Sequence, residues 1–512
     1  MTISPFTQHD VNENTKATHE HERRGGTGVL SQGLLSMIAY GVNFGASFLA
    51  IIGMMRIMGE GTYGLFALAI QIVSFTAMIS DFGIGPVIMR RLAINPSSCG
   101  RILLEATAAR GLLLLPTWIL TLLVGWHMES SGTFFTLLNL MLLNTVISSK
   151  LPVLRGTLES FYRSQSRMGV PTITMAVDSL VLLVAVLSVP VMFRDPVMAM
   201  ALYTGSNIFG AVLLLWSSLR LARRLNTEPV GIAWSNVRSL IATSAPLALY
   251  LLLTALHVTI DSIYLKLFQT YEAVGVYNAA LRIMTPLAVF PTIVAISASP
   301  AFARASMSMD DEQRRRMSTL FSLGMKTLLI GSVLLAGFGL TNADLVVKLA
   351  FKTSFAGATA PMALMFLTFL PMSLNIFLVE INNARDQLRT NTRFAFLVVV
   401  VSVTLGAPLI IWQGAAGAAV AKMIAVCVGL VFLLLRSREG LVMAVKPLLG
   451  KVLLLLLLLL VPRILLDGLH PLLSNGVALL CVVSGMVLLR IYNPDELSRW
   501  KEQLRGLRRV SG

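Results

Sequence analysis

Charge is scarce in this chain: 13% of its 512 residues are Asp, Glu, Lys or Arg, against 55% hydrophobic. A soluble chain of this length is about one-quarter charged, because its surface must be polar. A soluble multidomain enzyme is therefore excluded. Acidic residues are fewer still, 25 against 41 Lys and Arg, for a net charge of +16. That excess does not describe a nucleic-acid-binding protein, because the cations sit in short segments between apolar runs and form no basic domain. Cysteine is limited to Cys99, Cys427 and Cys481, too few and too scattered for a disulfide framework or a thiolate metal site.

Other signatures are missing as well. No GxxxxGK[ST] loop is present, so nucleotide hydrolysis is not expected. The first 28 residues are polar and lack the basic start and apolar run of a signal peptide; they read as a disordered cytoplasmic tail. His19, His21 and Glu22 within it are read as solvated, with no metal site expected. No loop exceeds about twenty residues, which leaves no room for the soluble catalytic domain expected of a membrane glycosyltransferase or polymerase.

What is present is a succession of apolar runs of about twenty residues, the length that spans the ~30 Å hydrocarbon core of a bilayer. Mean hydropathy is +0.77, and from Lys451 to Val461 a lysine is followed by apolar residues alone. The pattern predicts an all-α integral membrane protein of about fourteen transmembrane helices. They fall at 30–54, 63–87, 102–125, 133–154, 170–193, 197–219, 239–265, 275–303, 319–341, 358–383, 393–412, 414–435, 447–466 and 471–490. With both chain ends cytoplasmic, 31 of the 41 basic residues lie in cytoplasmic segments. Only Arg56, Arg194, Lys266, Lys348, Lys352 and Arg463 lie outside, the asymmetry the positive-inside rule demands.

Two weak internal matches organise these helices. YGLFALAIQI (residues 63–72) returns as VGVYNAALRI (274–283) at an offset of 211, and RSQSR (163–167) returns as RDQLR (385–389) at 222. The repeat unit is six helices, an even number, so the halves are parallel copies about an axis along the membrane normal. The expected organisation is a tail (1–28), two pseudo-symmetric six-helix bundles (29–225 and 238–436), two extra helices (446–491) and a basic cytoplasmic tail (492–512).

MRIMGEGTYGLFALA with SDFGIG (55–85), APLALYLLLTALHVTIDSIYLKLF (245–268) and a proline-punctuated helix ending SPAFAR at Arg304 occur in order, followed by NADLVVKLAFKTSF (342–355) and GAAGAAVAK (414–422). The ordered set resembles the bacterial polysaccharide flippases, the O-antigen and exopolysaccharide transporters, which share a superfamily with multidrug extruders and lipid II flippases. The resemblance implies a non-enzymatic carrier in the bacterial inner membrane. Its substrate would be a polyprenyl-diphosphate-linked oligosaccharide held in a cationic cavity, with a polysaccharide polymerase and a chain-length regulator as candidate partners. Two extra helices are a feature of lipid II flippases, so lipid II stays a rival substrate; a multidrug extruder is the second rival.

An ionised side chain at a helix centre costs roughly 2.5–3.5 kcal/mol on insertion scales and so faces a cavity or a partner. Arg110, Arg282 and Lys422 are the deep cations and the candidate substrate-binding residues. Arginine suits a diphosphate because its planar fork donates two parallel bonds. Asp178, in the middle of the fifth helix, is either a partner for Arg110 or a site coupling transport to a proton or sodium gradient. Asp261 and Glu380 are candidates for gating or ion pairing, while Asp81 and Glu105 lie at hydrated cytoplasmic ends. Pro246, Pro286, Pro291 and Pro300 mark hinges or static bends, and Gly414 and Gly417 suit close helix packing.

Overall fold

The computed structural model describes residues 8–129, 131–148, 153–165, 167–305, 311–436, 450–451, 454–462, 465–466 and 471–489. Among these, every regular element is a helix. In chain order they are α1 (Gln8–Asp81), α2 (Ile84–Ile94), α3 (Cys99–Met128), α4 (Gly132–Ile147), α5 (Arg155–Ser164), α6 (Gly169–Ser188), α7 (Pro196–Gly205) and α8 (Ile208–Leu225). There follow α9 (Trp234–Phe268), α10 (Tyr271–Leu287), α11 (Val289–Ala305), α12 (Asp311–Phe351), α13 (Thr359–Ala384), α14 (Leu388–Arg436) and α15 (Pro471–Leu488). Residues 454–462 are helical as well. The polar N-terminal segment is largely taken into α1, and the basic C-terminal tail lies outside the described residues.

Nine apolar segments among the described residues are long enough to cross a bilayer, and the longest, Leu35–Ile94, has 60 residues. At 1.5 Å per residue that is ~90 Å, far more than one crossing. The chain reverses at Gly59, whose φ of 74° and ψ of 176° lie where side chains are not tolerated. Gly414 (φ 55°, ψ −129°) reverses α14 in the same way. Gly417 then lets the two arms touch, since a Cβ there would sit 1.9 Å from the Leu409 carbonyl oxygen. Gly414 is thus a turn rather than a packing residue.

Several helices end where the apolar pattern runs on. The expected helix at 133–154 stops at Ile147, and α5 follows as a separate amphipathic piece. The expected helix at 275–303 is two helices, α10 and α11, meeting at Ala288 beside Pro286 and Pro291. The expected helix at 319–341 continues instead to Phe351, because residues 340–351 contain neither Pro nor Gly.

Packing is that of a protein dissolved in lipid. Leu112, Leu115, Ile119, Leu123 and Trp126 form an exposed stripe on α3, which hydrocarbon tolerates and water does not. The opposite face of α3 is polar and zipped to α1: Thr121 bonds Thr76 at 2.7 Å and Thr117 bonds Ser80 at 2.6 Å. A large apolar cluster crosses between the halves, with Tyr63 and Phe66 on one side and Val274, Tyr277 and Phe355 on the other. Leu455, Leu459, Ala478 and Val482 of the last helices join a second cluster with Leu328, Leu374 and Phe377.

Candidate functional site: a sealed outer junction above one unneutralised cation

The two halves meet most closely where the sequence repeat begins. A Cβ on Gly64 would lie 1.8 Å from the Tyr271 carbonyl oxygen, and a Cβ on Gly275 would lie 2.0 Å from the Glu60 carbonyl oxygen. Residues 60 and 64 map onto 271 and 275 by the repeat offset of 211, so each half presents the same patch to the other. This is a self-complementary contact of the kind a two-fold axis creates. Only glycine permits backbones this close. One step deeper, Gln71 Nε2 donates to Asn278 Oδ1 at 3.0 Å across the junction.

Two cations clamp the outer rim of this contact. Arg56, in the α1 reversal, donates from Nε to the Ala350 carbonyl at 2.6 Å and from Nη2 to the Leu349 carbonyl, capping the end of α12. Lys266, at the end of α9, lies 3.0 Å from Glu129 Oε2 just beyond α3. Tyr271 donates its hydroxyl to the same carboxylate, and the Lys266 ammonium lies 3.8 Å from the Tyr271 ring centre. The Tyr271 hydroxyl, then the Lys266 charge, hold the Glu129 carboxyl below its ordinary value. Both clamps join the N-terminal half to the C-terminal half.

Below the seal the three deep cations differ sharply. Arg110 is 1% exposed and donates to Asp81 Oδ1 at 2.6 Å and to Thr157 Oγ1 at 2.8 Å. Lys422 lies 2.8 Å from Asp261 Oδ2 and donates to the His257 carbonyl at 3.1 Å. The Tyr277 hydroxyl donates to the same Asp261 oxygen at 2.5 Å. Arg282 is half-buried in α10, and its Nε donates to the Tyr63 hydroxyl of α1 at 3.3 Å. No carboxylate among the described residues lies in ion-pair contact with Arg282, whereas Arg110 and Lys422 are each neutralised.

The candidate acids are equally distinct. Asp178 accepts from Arg155 Nη1 at 2.6 Å rather than from Arg110, and its other oxygen accepts the Gly210 amide at 3.0 Å. Arg155, 3% exposed, also donates to Thr174 at 2.9 Å and to the Ile147 carbonyl at 3.2 Å, tying α4, α5 and α6 together. Glu159, buried one turn along α5, stands 3.5 Å from Arg155. Through α5 the Asp81–Arg110 and Arg155–Asp178 pairs form one group of three carboxylates and two guanidiniums, buried except at Asp81, which is partly exposed. Asp261 is an ion-pair partner within the C-terminal half, and Glu380 accepts from Ser299 of α11 at 3.3 Å, bracing α13 against it.

Arg155 and Glu159 fall between the expected helices at 133–154 and 170–193, where no role is assigned to them, and Arg56 and Lys266 enter the sequence reading only as outer exceptions to the charge rule. The available signal was that the outer side has few cations, so each survivor there has a reason to be kept.

The helix order and packing define an all-α, multi-pass membrane transporter fold. At 13% identity and a TM-score of 0.66, the chain superposes on the lipid II flippase MurJ in an inward closed conformation, covering 88% of this chain and 99% of that one. An inward-facing multidrug resistance MATE family transporter of the MOP superfamily matches at 13% identity and 0.58, covering 80% and 99%. A MOP superfamily transporter from Pyrococcus furiosus, described by a reverse polarity of its binding pocket, matches at 13% and 0.53, covering 81% and 96%. At these identities the likeness establishes the fold. The sequence profile of the polysaccharide biosynthesis protein family matches residues 29–306, more than half of the chain, and the protein belongs to that family. No curated protein matches it.

Proposed function

We propose that the protein is a flippase that carries polyprenyl-diphosphate-linked oligosaccharide from the cytoplasmic to the periplasmic leaflet of the bacterial inner membrane, supplying surface polysaccharide synthesis. The observation that carries this reading is Arg282. It is a half-buried cation between the two halves, beneath the outer seal, with a tyrosine hydroxyl rather than a carboxylate as partner. A guanidinium at this depth without a counter-charge is costly unless an anion or water meets it, and a diphosphate matches its fork. Family membership supports the saccharide substrate. Transport then consists of opening the Gly64–Gly275 junction and its two clamps while the cytoplasmic side closes, with the lipid tail remaining in the bilayer. No covalent step is required of the protein.

Coupling belongs to the buried group around Arg155. Glu159 shares the buried Arg155 with Asp178, its further cation Arg163 is exposed to solvent, and its Oε1 is buried without a hydrogen-bond partner, which makes it the carboxylate suited to take up a proton. The polymerase and chain-length regulator of the same pathway are the partners this reading implies. Lipid II is the alternative cargo, favoured by the packed helices at 454–462 and α15 and by the likeness to MurJ.

The test is a deletion strain in which lipid-linked oligosaccharide and surface polymer are measured together. The expected result is accumulation of the lipid-linked repeat with loss of polymer. Arg282→Ala should reproduce it in stably inserted protein, and Arg282→Lys should restore part of the flux. Unchanged surface polymer with new drug sensitivity would replace the flippase with an extruder, and arrested peptidoglycan synthesis would replace the cargo with lipid II.

A further inference from the structure

A second basic site lies away from the junction, on the lateral wall of the N-terminal half at its cytoplasmic edge. A cavity of ≈ 420 Å³ opens there between the start of the first crossing at Leu35, the beginning of α6 and the end of α8. That volume falls within the ~300–1,000 Å³ of small-ligand sites. Arg167, Arg220 and Arg224 all line it, and none has a carboxylate within ion-pair distance among the described residues. Arg220 lies flat over Trp216, 3.6 Å from the ring centre, which holds its fork in a fixed orientation. The lining also includes Leu35, Val170, Ile173 and Leu221.

The vertical order of these groups is informative. Trp216, Arg220 and Arg224 stand one above the other at helical spacing of four, so the cavity wall grades from an interfacial indole to two guanidiniums over ~12 Å. Apolar side chains of α6 and α8 face the same space. Arg223 carries the same charge at the same depth yet does not line the cavity. A general excess of cytoplasmic charge would not select three arginines and leave out their neighbour.

We propose that this cavity binds the phosphate-bearing headgroup of a lipid in the cytoplasmic leaflet. The guanidiniums hold the phosphate oxygens, Trp216 marks the interfacial level, and the first part of the tail lies over Val170 and Ile173. The inference rests on the membrane topology and not on the transport reading, and it assigns a role to the basic residues around RSQSR that orientation alone does not explain.

The full-length protein in detergent is titrated with phosphatidylglycerol or phosphatidylcholine and bound lipid is counted by native mass spectrometry. The expected result is one saturable phosphatidylglycerol adduct not matched by phosphatidylcholine. Arg220→Gln with Arg224→Gln should weaken it by about tenfold or more. The charge-matched pair Arg223→Gln with Arg238→Gln should leave it intact, as should Arg282→Ala. Equal loss in both pairs, or equal binding of phosphatidylcholine, overturns the proposal. Competition separates the sources: displacement by equimolar undecaprenyl diphosphate identifies the carrier lipid as occupant, and failure to displace identifies a resident acidic phospholipid. Displacement by inorganic pyrophosphate alone, as effective as by the lipid, overturns a lipid site.

Discussion

Replacing Gly64 or Gly275 with alanine should prise apart the outer ends of the two halves without altering Arg282 itself. The added methyl at residue 64 would sit 1.8 Å from a backbone oxygen, where ordinary contact begins at 3.4 Å. The backbones must therefore separate by roughly 1.5 Å, since neither is a flexible side-chain tip. Overpacking of this kind costs about 1–3 kcal/mol. One rigid-body separation relieves both clashes, so the two substitutions should not add. A bias of about 2 kcal/mol shifts a closed-to-open ratio about thirtyfold, enough to bring a 99:1 preference to about 3:1. Nitroxide labels at Thr133 and Ala356, both exposed on the outer ends of opposite halves, report the change as a distance distribution by pulsed electron spin resonance. Cys99, Cys427 and Cys481 are first replaced by serine. A longer-distance population should appear with Gly64→Ala alone and grow little in the double variant. An unchanged distribution in stably inserted protein, or strictly additive changes, would refute the reasoning.

Four further outcomes follow from the contacts. Glu129→Gln and Lys266→Ala should each enlarge the same open population modestly, because the clamp is partly exposed and surface pairs contribute ~0.2–1 kcal/mol. The Glu129 carboxyl is held below its ordinary value in the closed state. Its contribution to closure is therefore complete above that ordinary value, near 4.3, and is lost only as pH falls through the lowered one. Any response of the distance distribution between pH 8 and pH 5 should accordingly be the same in Glu129→Gln as in the unsubstituted protein, and a response in that range that Glu129→Gln abolishes would contradict the assignment. Asp178→Asn removes the shorter of the two ion pairs of Arg155 and leaves Glu159, at 3.5 Å, as its remaining acid. The loss of this buried charged hydrogen bond should cost about 1.5–3 kcal/mol, read as a lowered midpoint of folded protein in a detergent-solubilised thermal assay. Gly210→Ala should be destabilising too, because its Cβ would lie 2.1 Å from Asp178 Oδ1.

The class of fold was legible in the sequence because hydrocarbon thickness imposes a length on every crossing, and the charge bias marks each side independently. The ten-residue match between 63–72 and 274–283 points to a repeat, and the structure places the glycines of the two segments in mutual contact. Helix ends were less legible. Hydropathy follows composition, whereas the stop of α4 at Ile147 and the junction at Ala288 depend on backbone conformation. Charge partners were hidden for another reason. Arg110 pairs with Asp81 and Lys422 with Asp261 through helices distant in the chain, and burial depth alone ranks all three cations equally. What singles out Arg282 is that no acid among the described residues lies in ion-pair contact with it, a property of packing that no local pattern encodes.

Arg282 stands in the repeat at the position that Gln71 occupies in the first half. Were the two halves identical chains, any residue beside the symmetry axis would be present twice. A cation there would confront its own copy, and a single anion would be shared between two equivalent seats. Joining the halves in one polypeptide removes that constraint. One strand of the pair carries the charge, and the other carries a neutral amide that bonds Asn278 across the junction. On the proposed reading the consequence is directional: a headgroup arriving at the axis would meet a positive wall on one side and a neutral one on the other, and would enter in one orientation.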